Sequence, residues 1–215
     1  MEEFSKVLKQ LNDFLDSIKP GVGPSPKFTA SHAVMCLYII AEKQPIGRKK
    51  LSAELGIGEG SARSLLARLK SLGLLDISKK GLMLNKQGEE FLKRLSLLMS
   101  PPKRVSAERI AISRISTAIL VRGVAEKVGN GMRVRDAAVS QGASGATTLI
   151  FMGGKLQIPG VSQDAETDFP EEVGSLVEEL KPREGDAIIL GTAERWRDAE
   201  LGAIAGALSL LGVGW

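Results

Sequence analysis

The sequence predicts two domains of different class: a mostly helical N-terminal domain carrying a short β-hairpin, and a C-terminal α/β sandwich. Three observations carry that prediction. The chain has 215 residues, and domains of about 100 residues are the commonest size, so two fit better than one. Apolar residues on spacings of three and four dominate as far as Met99, whereas β-branched runs alternate with helical segments beyond residue 105. The net charge of +4 is also uneven. Residues 1–104 hold 18 basic and 10 acidic side chains, a surplus of +8, while residues 105–215 hold 11 and 15, a deficit of −4. A basic half joined to an acidic half points to a polyanion as partner of the first.

In chain order, Phe4, Val7, Leu8, Leu11, Phe14, Leu15 and Ile18 form one helical stripe over residues 1–19. Such a helix docks either on its own chain or on a second copy. Residues 19–26 (Lys-Pro-Gly-Val-Gly-Pro-Ser-Pro) must be a loop. A helix follows over Thr29–Lys43 with Thr29 as N-cap, broken at Gln44-Pro45-Ile46-Gly47. Arg48–Leu55 is a second short helix stopped by Gly56. The next starts near Gly58 and carries Ala62, Leu65, Leu66, Leu69 and Leu72 inward until Gly73. Leu74–Ser78 and Leu82–Asn85 are short strands about Lys79-Lys80-Gly81, and Gln87–Met99 closes the unit as a helix. Residues 1–100 are thus one domain, and Pro101-Pro102-Lys103-Arg104 is the linker expected between the two.

The domain expected over 105–215 has strands at Thr117–Arg122, Thr147–Met152, Leu156–Ile158 and Ala187–Leu190. Helices are expected at Val134–Gln141, Glu171–Leu180 and Ala199–Leu211. The order β-α-β-β-α-β-α fits an α/β sandwich, with a ferredoxin-like split β-α-β plus an added helix as one arrangement. Small residues Gly202, Ala203, Ala205, Gly206 and Ala207 suit the last helix to close packing, on the sheet or on a second copy.

Composition narrows the chemistry. A single histidine, His32, and a single cysteine, Cys36, exclude a disulfide framework and a zinc site of several Cys/His ligands within the chain. Four apart on one apolar helix, the pair is expected to be core packing rather than a catalytic or metal pair. Aromatics at 4% are too few for a single-strand stacking platform. The charged start and the absence of a long apolar run predict a soluble, cytoplasmic protein without membrane contact. No catalytic residue, cofactor or metal is called for.

Three helices followed by a hairpin with basic residues at its tip is the order of a winged helix. Residues 44–57 (Gln-Pro-Ile-Gly-Arg-Lys-Lys-Leu-Ser-Ala-Glu-Leu-Gly-Ile) resemble its second helix and turn. Residues 58–69 (Gly-Glu-Gly-Ser-Ala-Arg-Ser-Leu-Leu-Ala-Arg-Leu) resemble its recognition helix. Small residues at that helix start let the backbone approach a duplex. Ser61, Arg63, Ser64 and Arg68 are the candidate groove residues, with Arg63 able to fork onto guanine O6 and N7. Arg48, Lys49, Lys50, Lys79 and Lys80 are candidate phosphate contacts.

The Gln-Pro-Ile-Gly-Arg-Lys stretch is also similar to the DNA-binding region of the central glycolytic genes regulator family, over roughly residues 30–97. That family's long sugar-phosphate effector domain has no counterpart in the remaining length, so its ligand is not implied. Over the whole chain, Arg135-Asp136-Ala137-Ala138, the run from Gly142 to Leu149, and Gly154-Lys155-Leu156 resemble a group of archaeal winged-helix proteins whose C-terminal domain has no known function. This resemblance implies a regulator's architecture and names no ligand.

For the second domain the candidate effector residues are Arg135, Asp136, Gly142, Ser144, Thr147, Thr148, Arg195 and Asp198. Gly142, Ser144, Thr147 and Thr148 have the composition of an anion cradle, though also of a tight helix-to-strand connection. Asp198 is a plausible N-cap, with Arg195 at the mouth beyond a strand end. The expected function is a homodimeric, ligand-responsive regulator of transcription that binds double-stranded DNA. The alternatives are a winged-helix protein–protein adaptor and, more remotely, a small-molecule enzyme with a DNA-binding arm.

Overall fold

The computed structural model describes residues 2–19 and 27–214. The expected loop after the first helix falls mostly on residues 20–26 and lies outside the described residues. The chain divides into two compact units, one built on the residues up to Leu97 and the other spanning Leu98–Gly212.

In the N-terminal unit α1 (Glu2–Ile18), α2 (Ala30–Lys43), α3 (Arg48–Leu55) and α4 (Glu59–Ser71) precede a hairpin, β1 (Leu75–Ser78) and β2 (Gly81–Leu84), and then α5 (Lys86–Leu95). The stripe of α1 buries Val7, Leu11, Phe14, Leu15 and Ile18 against α2, α4 and α5, so this helix docks on its own chain. Ala62, Leu65, Leu66 and Leu69 turn α4 inward as expected, but Leu72 caps the helix with its side chain exposed. The stripe ends a turn early because the chain reverses there. The Gly73 carbonyl then accepts from the Asn85 side chain, whose Oδ1 takes the Gln87 and Gly88 N–H groups and caps α5.

The hairpin is tied back to the start of α3 by backbone pairing and by Gln44, whose Oε1 accepts from Leu84 N–H at 2.8 Å. Ile46 N–H donates to Leu82 O at 3.1 Å, and Leu82 N–H donates to Ile46 O at 2.9 Å. Gly81, at φ +134°, makes this possible, since a Cβ there would stand 2.9 Å from Ile46 O. The wing and the α2–α3 turn therefore form one surface.

The C-terminal unit holds β3 (Lys103–Val105), β4 (Ile115–Val121), α6 (Met132–Ser140), β5 (Gly145–Met152), β6 (Lys155–Gln157), α7 (Ala165–Asp168), α8 (Pro170–Leu180), β7 (Ala187–Ala193) and α9 (Trp196–Leu211). The residues expected to be a linker instead open this unit. Lys103–Val105 pairs with β4, and Ser100 exchanges hydrogen bonds with Leu120. Prolines at 101 and 102 are compatible with the start of an edge strand, which is why they did not mark a domain boundary.

The sheet order is β3-β4-β7-β5-β6, antiparallel throughout. Two split β-α-β units interlock in it: β7 lies between β4 and β5, and β5 lies between β7 and β6. The ferredoxin-like arrangement inserts the third strand of its repeat between the first two, whereas here the last strand takes that place. The unit is also three-layered rather than two. Ile188 and Leu190 of β7 face the core with Val173, Leu176 and Leu180 of α8, while Ile189 and Gly191 face α9. Burial on both faces explains the unbroken apolar run of β7.

Packing of α9 uses its small residues inside this unit. A Cβ at Gly202 would meet Ala143 and Ala138 of the α6 end, and one at Gly206 would meet Val134 and Ile189. The helix is core and not a face for a second copy. At Gly191 the backbones of β7 and α9 touch: an added Cβ would lie 2.5 Å from Ala199 O and 2.7 Å from Ala203 N. No helix among the described residues is long and apolar enough to cross a membrane. Gly191→Ala is expected to force β7 and α9 apart and to lower stability by about 3 kcal/mol, measured by urea denaturation.

Candidate nucleic-acid interface

Gly47 and Gly58 are the N-caps of α3 and α4, and neither helix has a side chain capping its first N–H groups. The two helix starts face a shared hollow of about 350 Å³ lined by Gly47, Arg48, Lys49, Glu59, Ala62 and Arg63. Three cations from two helices thus surround two sets of outward N–H groups, an arrangement suited to phosphate. Lys50 is exposed on the same short helix. Lys79 and Lys80 form the two-residue tip of the wing, where the Ser78 hydroxyl accepts from Lys80 N–H at 3.1 Å. Among the described residues none of Arg48, Lys49, Lys50, Arg63, Lys79 or Lys80 is paired with a carboxylate.

Two of the candidate groove residues are occupied elsewhere. Arg68 donates from Nη1 to Lys19 O at 3.0 Å, and so caps the C-terminal end of α1. The Ser61 hydroxyl accepts from Lys27 N–H at 3.0 Å. Seven residues apart, these two lie on one flank of α4, with Ser64 half-buried beside them. Arg63 is on the opposite flank with Gly60 and Ala67, all exposed. Arg63 is thus the candidate arginine of α4 that makes no hydrogen bond or ion pair of its own among the described residues. Helical spacing already held that signal, since residues 61, 64 and 68 share a stripe that 63 does not.

Gly60 sits inside the first turn of α4, where glycine is costly. A Cβ there would meet nothing within 4 Å. The unit's own packing gives no reason for glycine at this position. Glu59, which sequence reasoning passed over, stands among the cations of the hollow.

His32 and Cys36 belong to the structure of α2. Thr29 N–H donates to His32 Nδ1 at 3.2 Å at the helix start. Cys36 is fully buried, and burial pushes its thiol up to about 12. Among the described residues no three His, Cys, Asp or Glu side chains are grouped to hold a metal ion.

The C-terminal candidates do not converge on one site. Arg135 pairs with its neighbour Asp136 on the exposed face of α6. Thr147 and Thr148 are successive residues of β5 and point to opposite faces: Thr147 donates to Ile110 O, and Thr148 is buried with an unpartnered hydroxyl. The anion cradle from Gly142 to Thr148 is thereby excluded, because strand geometry parts its hydroxyls. Gly142, Ser144, Arg195 and Asp198 do share one end of the sheet. Ser144 N–H donates to Thr192 O, and a Cβ on Gly142 would lie 4.0 Å from Asp198 Cγ. Asp198 is the third residue of α9 and not its N-cap, which is Arg195. Its buried carboxylate accepts from Arg195 at 2.7 Å and Arg197 at 3.2 Å. Beside it, the Arg104 guanidinium stacks 4.5 Å over Trp196 and bonds Glu200.

The three-helix core, the turn and the wing define the N-terminal unit as a winged helix. Residues 32–90 match the family described as PH0730-like, N-terminal domain, and residues 112–210 match the domain of unknown function DUF4443. The two matches fall on successive parts of the chain, one within each of its two compact units. Its fold is similar to the solved structure of hypothetical protein PH0730 from Pyrococcus horikoshii OT3. The TM-score is 0.68 and the identity 28%, over 86% of this chain and 93% of that one. Its N-terminal part is similar to the central glycolytic genes regulator of Priestia megaterium (strain DSM 319 / IMG 1521), 39% identical over 74 residues, which is 34% of this chain and 21% of that one. The regulator of the same name from Bacillus subtilis (strain 168) is 42% identical over 59 residues, 27% of this chain and 17% of the relative. The chain spans about a fifth of the length of these curated relatives. Gly60→Ala, filling open space in a helix, is expected to raise stability by about 1 kcal/mol, read from chemical denaturation.

Proposed function

We propose that the protein is a regulator of transcription that binds double-stranded DNA through α3, α4 and the wing. The observation that carries this reading is the set of unpaired cations around two uncapped helix starts, continuous with the wing through the Ile46–Leu82 pairing. The similarity of this unit to proteins named as regulators supports it. Arg63 and the backbone near Gly60 read the groove, while Arg48, Lys49, Lys50, Lys79 and Lys80 hold phosphates. Glu59 repels phosphate within that ring, so it weakens sequence-independent binding more than a contact read by Arg63. The chain has no catalytic role in this reading.

The C-terminal unit is the responsive part. The end of the sheet bearing Gly142, Ser144 and Arg195 is its candidate effector position, where the guanidinium groups of Arg195 and Arg197, gathered on the buried Asp198, offer further N–H donors to a small anion. A thermal-shift panel of small organic anions tests this: stabilisation lost in Arg195→Ala is expected, and no shift with any anion removes the effector from the reading.

Duplex binding is measured by anisotropy across a salt series. Five phosphate contacts give a slope of log affinity against log salt of about −4 to −5, and Lys79→Ala with Lys80→Ala flattens it by about 2. Arg63→Ala is expected to cost about 1–3 kcal/mol on the preferred sequence and little on others. Gly60→Ala is expected to lose affinity despite its added stability. Absence of duplex binding at low salt overturns the reading in favour of a protein–protein adaptor.

A further inference from the structure

Helices α1 and α5 lie side by side and leave a trough along their seam. Its floor is apolar: Phe14 and Phe91, with ring centroids 4.7 Å apart, and Leu72 and Leu74 from the chain joining α4 to β1. This section holds about 710 Å³, and a second of about 630 Å³ shares Glu90 and Arg94 with it and continues along α1 towards Glu2. Leu72, expected in the core, is 36% exposed on this floor. A channel so long and open does not enclose a small ligand, since small-molecule sites bury about 70–90% of what they hold. It suits the face of another folded domain.

Charge identifies that surface. Residues 1–97 carry 16 basic and 10 acidic side chains, a surplus of +6. None of the surplus falls on the trough. Its rim bears Glu2, Glu3, Asp13 and Glu90 on the acidic side, matched by Lys6, Lys86, Lys93 and Arg94. A nucleic acid or an acidic peptide is repelled by half of that rim and has no reason to leave the cationic face for it. A second copy meets balanced charge with balanced charge across a two-fold axis, where every contact is made twice, and covers two apolar floors at once.

We propose that the α1–α5 trough is the dimer interface of this protein, occupied by the same trough of a second copy. The proposal deepens the duplex-binding reading, because a symmetric pair of winged helices engages paired half-sites, and rests on it only for that use. The last helix, α9, for which a second copy was one alternative, is spent inside its own unit.

Sedimentation velocity on the full chain at tens of micromolar gives the mass directly, and a dimer is expected. Leu72→Lys with Gln87→Lys places cations on the floor and its edge, and the mass is expected to fall to that of a monomer while the circular-dichroism spectrum of the folded chain is retained. Asp13→Lys, at an exposed rim position, serves as a second variant that unbalances the rim without touching the floor. Ile112→Lys and Val161→Lys, at exposed apolar positions of the C-terminal unit, are expected to leave the dimer whole. A wild-type monomer, a dimer that persists in both trough variants, or one broken by the C-terminal changes overturns the proposal. On a duplex with two half-sites the dimer is expected to bind on the order of 100-fold tighter than the trough variants. Should the dimer form and bind no duplex, the DNA reading falls and the interface stands.

Discussion

Two backbone hydrogen bonds between Ile46 and Leu82, with Gln44 Oε1 accepting from Leu84 N–H beside them, fix the wing of the candidate interface against the start of α3. Without them the hairpin is a two-stranded ribbon of four residues a side, marginal by itself. With them the wing becomes the outer part of a short three-membered sheet whose inner member leads into α3. Leu82 is consequently buried while its neighbours across the turn, Lys79 and Lys80, remain in solvent. The clasp also sets the wing next to the start of α3, since Gly47 is the residue after Ile46. The turn held by Ser52 and Ile57 brings the start of α4 to the same place. A two-residue interval thus converts a pairing of main chains into a cluster of cations. Gly81 is the local condition for it, because any larger residue would hold the two chains apart.

Which cations are spent and which are left over then separates scaffold from surface. Arg68 caps α1, Lys43 pairs with Glu54, and Arg94 pairs with Glu90. In the C-terminal unit Arg122 meets the buried Asp186, which also takes the Gly123 and Arg183 N–H groups. These pairs fix local geometry and leave little field outside. At α3, α4 and the wing, Arg48, Lys49, Lys50, Arg63, Lys79 and Lys80 are left without a carboxylate partner among the described residues. The duplex reading therefore rests on the residue of charge after internal pairing rather than on the sequence total, which includes arginines unavailable to any partner.

Much of the N-terminal unit was legible because its signals are local. Helical stripes, the Gly56 stop and the two-residue turn at Lys79-Lys80 each follow from a few neighbouring residues. Leu72 was misjudged because periodicity does not show where a chain turns back. The internal bonds of Arg68 and Ser61 were not legible because their partners, Lys19 and Lys27, are distant in sequence. In the C-terminal unit the strands and helices were placed, but their order in the sheet was not. Strand order depends on long-range pairing, and β7 enters between β4 and β5 although 34 residues (153–186) separate it from β5. The edge strand Lys103–Val105 was hidden by its length and by the prolines before it.

The apolar character of α9 illustrates how one composition admits two structural answers. A helix rich in glycine and alanine presents a smooth surface, which suits close packing on any flat partner. Sequence cannot say whether that partner is a sheet of the same chain or a helix of another. Gly191 decides the matter from the other side. A glycine within a buried strand is wasteful unless something approaches its backbone, and Ala199 and Ala203 do so. The small residues on α9 and the glycine on β7 are two halves of one contact. Once they are matched, the copy-to-copy role expected of α9 has no surface left to act through, whereas the α1–α5 seam keeps an apolar floor that the unit itself does not fill.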